Sequence, residues 1–147
     1  MQQIVHQLLL EQMDRVRKVR SGLGLLRVES RALRKKLGAD WAAGSREGFA
    51  ASWKAIEARL EAERREMVSK PGSEAFVSAI EGLQICLEQV GRVRALLGRE
   101  EPGRDLAAKL DALDQQRETL DRSLDSLGRR LAAEIDERFR EAYDRPS

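Results

Sequence analysis

Two leucine-rich stripes, one at each end of the 147-residue sequence, limit what the chain can fold into more than any other feature. With Gln2 at heptad position a, the a positions are Gln2, Leu9, Val16, Leu23, Ser30 and Leu37. The d positions are Val5, Gln12, Val19, Leu26 and Leu33. An apolar stripe held on this period marks a helix that packs along another helix. A second stripe runs through Leu106, Leu110, Leu113, Leu120, Leu124, Leu127 and Leu131, with Arg117 as its polar exception. After Leu131 it continues through Ile135, Phe139 and Tyr143, a phase shift of the kind that locally unwinds a supercoil.

The stripes fit each other antiparallel. In that alignment Leu23 meets Leu124, Leu26 meets Leu120, Val16 meets Leu131 and Leu33 meets Leu113. The polar interruptions coincide too, Ser30 facing Arg117 and Gln12 facing Glu134. A polar core group is costly without a polar partner, so coincident interruptions select this register. Arg20, Arg27 and Arg34 flank the first stripe; in reversed order Asp125, Glu118 and Asp111 flank the last. Each exposed pair contributes roughly 0.3 kcal/mol, so the value of these charges lies in choosing direction and register.

The composition agrees. Aromatic residues make up 4% of the chain and charged residues 35%, which suits long helices better than sheets. Residues 1–40 carry nine basic and four acidic groups, whereas residues 102–147 carry nine basic and eleven acidic ones. Two oppositely charged helices packed together need this asymmetry. It is also, more weakly, the signature of a helix that binds nucleic acid.

The expected fold is all-α. It is an elongated antiparallel bundle of about four helices in one helical domain spanning 1–147, with helices near 2–37, 46–69, 74–97 and 103–143. The first and last form a long antiparallel coiled-coil pair. Ser45 and Ser73 are the candidate N-caps of the second and third helices. The cluster Ser69-Lys70-Pro71-Gly72-Ser73 is the strongest turn signal, and Pro102 suits the start of the last helix. Short connections favour up-down-up-down topology. The inner helices, roughly 36 Å long, fall short of the outer pair at roughly 54–60 Å. Residues 1–12 and 132–147 should therefore project beyond the rest. Leu8, Leu9, Leu10, Ile135, Phe139 and Tyr143 crowd that tip. Two helices alone do not bury so many apolar groups, and such a patch marks a partner or self-association surface.

Little in the sequence points to chemistry. The chain has one histidine and one cysteine. His6 lacks both a second histidine and a glutamate three residues away, so no catalytic residue, metal or cofactor is expected. Cys86 lies on an apolar helix face and reads as a small core residue; alone, it builds no internal disulfide framework. Gly98 and Gly103 have phosphate-loop spacing, but Arg104-Asp105 replaces Lys-Ser/Thr and two glutamates fill the loop, which would repel phosphate. No apolar run is long enough to span a membrane, and the first residues lack signal-peptide character, so a cytoplasmic location is expected.

These features point to a non-enzymatic helical protein–protein interaction or oligomerisation module, an adaptor or scaffold subunit of a larger assembly. Its partner would be its own copy or another helical protein, with no small-molecule substrate. The rival is a small nucleic-acid-binding subunit that lays Arg17, Lys18, Arg31 and Lys35 against a phosphate backbone. No aromatic residues are interleaved with these cations, so base-specific contact is not expected.

Overall fold

In the computed structural model the described residues form four α-helices: α1 (Gln2–Leu37), α2 (Ala43–Ser69), α3 (Val77–Leu97) and α4 (Gly103–Asp144). A turn of 3₁₀ helix, Ser73–Phe76, leads into α3. The structure describes residues 2–37, 43–70, 72–99 and 103–144, without the side chains of 2–3, 43–45, 103 and 142–144. Pro71 and Pro102 lie outside the described residues.

Each helix packs against two others, in the ring order α1, α2, α3, α4 and back to α1; among the described residues no Cα atoms of the diagonal pairs come within 8 Å. Neighbours run antiparallel. On one side of α1, Arg15 meets Glu66 and Ser21 meets Arg59, both on α2. On its other side Arg20 meets Asp121 and Arg34 meets Asp111, both on α4. This is an all-α bundle with its first and last helices paired. Among the described residues no helix is long and apolar enough to cross a membrane.

The heptad stripes are the core. Val16, Val19, Leu23, Leu26 and Leu33 of α1 are buried with Leu106, Leu110, Leu113, Leu120 and Leu124 of α4. Trp53, Leu60 and Met67 from α2 and Leu83, Cys86 and Val90 from α3 complete one continuous cluster. Two glycines mark where helices come closest. A Cβ on Gly22 would stand 3.0 Å from Leu60 Cδ2, and one on Gly82 would stand 3.0 Å from Leu120 Cδ1. Close approach offsets the cost of glycine inside a helix.

The polar positions of the α1–α4 seam are satisfied differently from the sequence expectation. Ser30 and Arg117 are buried, but both turn to Asp114. The Ser30 hydroxyl donates to Asp114 Oδ1 at 3.1 Å, and Arg117 Nε lies 3.7 Å from the same oxygen. The flanking ion pairs shift as well. Arg20 bonds Asp121 at 2.9 Å and Asp125 at 3.1 Å, and Arg34 reaches Asp111 and Asp114, each at 2.8 Å. The expected Arg27–Glu118 pair does not form; Glu118 lies 3.6 Å from Arg117 instead. The cause is the four-residue step from Leu106 to Leu110 that opens the α4 stripe. It sets Asp114 and Asp121 beside the seam, one turn from Asp111 and Asp125. The antiparallel pairing of α1 with α4 itself holds.

Helix boundaries differ where local chemistry competes. Helix α2 begins at Ala43, so Ser45 sits within its first turn, and its side chain lies outside the described residues; alanine is the best helix former and extends the start. Ser73 does not cap α3, and no side-chain cap bond occurs at the 3₁₀ turn or at α3. The chain instead enters through Gly72 in the left-handed region, φ 84°, where an L side chain is strained. The Ala75 amide donates back to the Gly72 carbonyl at 3.2 Å. This tight entry drives Phe76 into the core and folds the α2–α3 turn onto α1.

That turn changes the tip. Gln12 Nε2 donates to the Gly72 carbonyl at 3.3 Å, so Gln12 does not pair with Glu134, which is exposed and faces Arg138 at 3.5 Å. The turn reaches α1 at the level of Leu8 to Gln12. Its carbonyl, not the α4 carboxylate, is the partner at hand. Less of α1 projects than the helix lengths implied.

Candidate functional site

Consecutive residues on a helix point about 100° apart, so Leu8, Leu9 and Leu10 cannot share a face. Leu9 is buried in the core. Leu8 is half-buried under the α2–α3 turn, beside Met67 and Phe76. Leu10 points outward and is 48% exposed. From α4, Ile135 is half-buried against the core and Phe139 is 52% exposed. The side chain of Tyr143 lies outside the described residues. The structure therefore unites three of the six expected interface residues, Leu10, Ile135 and Phe139, and gives Leu8 and Leu9 to packing.

Those three line an open depression of about 650 Å³ between α1 and α4, with Met13, Ala132 and Ala133 among its other walls. His6 lies at its rim. Met13 and His6 were legible in principle: His6, Leu10, Met13 and Arg17 repeat at alternating four- and three-residue steps just beside the core stripe.

A second depression, about 460 Å³, follows on the same seam. Only α1 and α4 line it, and Arg17 belongs to both depressions. The second is basic. Arg17, Arg20, Arg27 and Arg117 border it against a single carboxylate, Asp121, with Leu23 and Gly24 also in its wall. The bond from Asp121 holds the Arg20 guanidinium above its ordinary pKa, against the opposing effect of burial.

The four cations of the nucleic-acid reading are all exposed. Arg17, Arg31 and Lys35 fall within about 40° of one another around α1, while Lys18 is turned about 100° from Arg17. Lys18 pairs with Asp14 at 3.2 Å. Only Arg17 enters the seam.

Among the described residues no group of three or more His, Cys, Asp or Glu side chains is placed to hold a metal ion. Cys86 is buried in the core. Burial pushes its thiol up to about 12, with the nearby Arg117 charge pulling the other way. The raised value means the folded state disfavours the thiolate. Below the ordinary value of 9.0 the thiol is neutral in both states; above it, only the unfolded chain ionises readily. Stability should therefore fall with alkali. Between about pH 8 and about pH 10 the wild type should lose about 1.4 kcal/mol more than a Cys86→Ala variant. Urea titrations of both proteins at the two pH values measure the difference, and equal losses would show that the thiol is not held neutral by the fold.

Comparison of the chain with protein-family models, with curated proteins and with solved structures finds no match. The functional reading rests on the seam.

Proposed function

We propose that the chain is a non-enzymatic interaction module, an adaptor or scaffold subunit that docks an amphipathic helix of another protein along the α1–α4 seam. The observation that carries this reading is that two depressions lie on one α1–α4 seam with Arg17 in the wall of both. One end offers Leu10, Ile135 and Phe139 to an apolar face; the other offers four guanidinium groups against one carboxylate. Helix-in-groove recognition uses apolar anchors at three- and four-residue spacing, and charge complementarity selects the partner and its direction.

The same charges argue against a second copy as the occupant. A second seam would set against the basic depression either its like or the apolar depression, each lined by one carboxylate, Asp121 or Asp136, and neither complements four guanidinium groups. An acidic helix meets no such conflict. Nucleic acid is the remaining rival, since Arg17, Arg31 and Lys35 share one side of α1.

The test places a photo-crosslinking amino acid at Ala133, inside the apolar depression, in cells that express the protein. One discrete protein adduct is expected. It should be lost in a Leu10→Asp variant whose helical circular dichroism signal is unchanged. An adduct between two copies would replace this reading with self-association. A particle in which absorbance at 260 nm exceeds that at 280 nm, dissociating steeply between about 50 and 200 mM salt, would replace it with nucleic-acid binding.

A further inference from the structure

We infer that the basic depression is an oxyanion seat built around Arg117, and that the partner helix carries a glutamate or aspartate whose carboxylate enters it. This inference rests on the docking reading and adds the chemistry that decides which helix fits.

Arg117 is the unusual residue. It interrupts a leucine stripe, and its side chain is only 10% exposed. Its Nε has no hydrogen-bond partner. The nearest carboxylate oxygens, on Asp114 and Glu118, stand 3.7 and 3.6 Å away, beyond hydrogen-bond reach. A guanidinium carries five N–H donors, and leaving charged donors buried and unbonded is expensive. Asp114 is engaged by Ser30 and Arg34, and both Asp121 and Asp125 by Arg20, while the Glu118 carboxylate is 62% exposed and turned toward solvent rather than bonded to the guanidinium. Among the described residues Arg17 and Arg27 form no ion pair. Three guanidinium groups that lack a bonded carboxylate thus border one open space of about 460 Å³.

Gly24 is exposed in the wall, and a Cβ there would meet nothing within 4 Å, so the depression is open to solvent on that side. A planar carboxylate matches the guanidinium fork two bonds at a time. From Leu10 to Gly24 is roughly 21 Å along α1. The partner helix should therefore carry its acidic residue about four turns from its apolar anchor.

Glutarate, a free dicarboxylate, tests the seat directly. It is titrated into ¹⁵N-labelled protein at constant ionic strength while the arginine Nε–H resonances are followed. The expected result is a saturable shift of the Arg117 resonance, with affinity lowered about tenfold in Arg27→Ala. The same variant should lower the yield of the Ala133 adduct. A shift that rises linearly and matches chloride overturns the inference, as does an affinity unchanged in Arg27→Ala. The two readings fail separately. If the adduct forms and is lost in Leu10→Asp but glutarate does not saturate, helix docking stands and the carboxylate seat is wrong.

Discussion

An Asp114→Ala variant is expected to lose about 2–3 kcal/mol of folding stability, and an Arg117→Leu change in the same chain is expected to restore most of it. Asp114 is the one acidic group shared by Ser30, Arg34 and Arg117. Removing it strips the Ser30 hydroxyl of its acceptor and takes from a buried guanidinium one of its two nearby counter-charges, the less exposed one. Breaking a buried pair from one side typically costs about 3–5 kcal/mol. Asp114 is one-quarter exposed and Arg34 keeps Asp111, so the lower figure applies. Replacing Arg117 with leucine removes the stranded charge and continues the stripe, a change that is often neutral or stabilising. Urea denaturation of wild type, both single variants and the double variant measures the coupling. Additive losses would show that Arg117 does not depend on Asp114.

Trp53→Ala should be more damaging still, by about 3–5 kcal/mol. Trp53 is fully buried and is the largest such side chain in the core. Against a total stability of about 5–15 kcal/mol for an ordinary domain, that loss is a large share. A Trp53→Phe variant separates volume from hydrogen bonding. The indole Nε1 is buried without a partner among the described residues, so phenylalanine sacrifices packing only and should cost less than half as much as alanine. Thermal melts by circular dichroism give both values. Equal losses would mean that the core cannot tolerate even a modest reshaping at this position.

The pairing of α1 with α4 was legible because two independent patterns, the leucine period and the order of flanking charges, agree on one register. The details that escaped depend on loop geometry. Gln12 looked paired with Glu134 because only the facing helix was in view; its actual partner, the Gly72 carbonyl, arrives through a left-handed turn that periodicity does not encode. Leu8 looked like surface for the same reason, until the α2–α3 turn folded over it, while Leu9 kept the core place its heptad position gave it rather than joining the interface. The shift from Glu118 to Asp114 and Asp121 followed from one four-residue step at Leu106. The basic depression was missed because Arg117 sits on α4 and Arg27 on α1, far apart in sequence, and each looked accounted for in its own stripe.

The seam ties together residues as far apart in the chain as Arg20 and Asp121, 101 positions, while α2 and α3 are joined by a short turn. Closing the longer span carries the larger entropic cost, so the pairs of consecutive helices are expected to form ahead of the outer pair. Until the outer pair closes, the faces of α1 and α4 that meet each other are bare. The charge code along them specifies direction and alignment, but it reads an α4 from another molecule as well as its own. Which one it takes depends on how closely the chain's own tether holds α4 against the concentration of neighbours. Dilute refolding therefore closes the ring within one chain, and crowded refolding favours exchange of an outer helix between two chains.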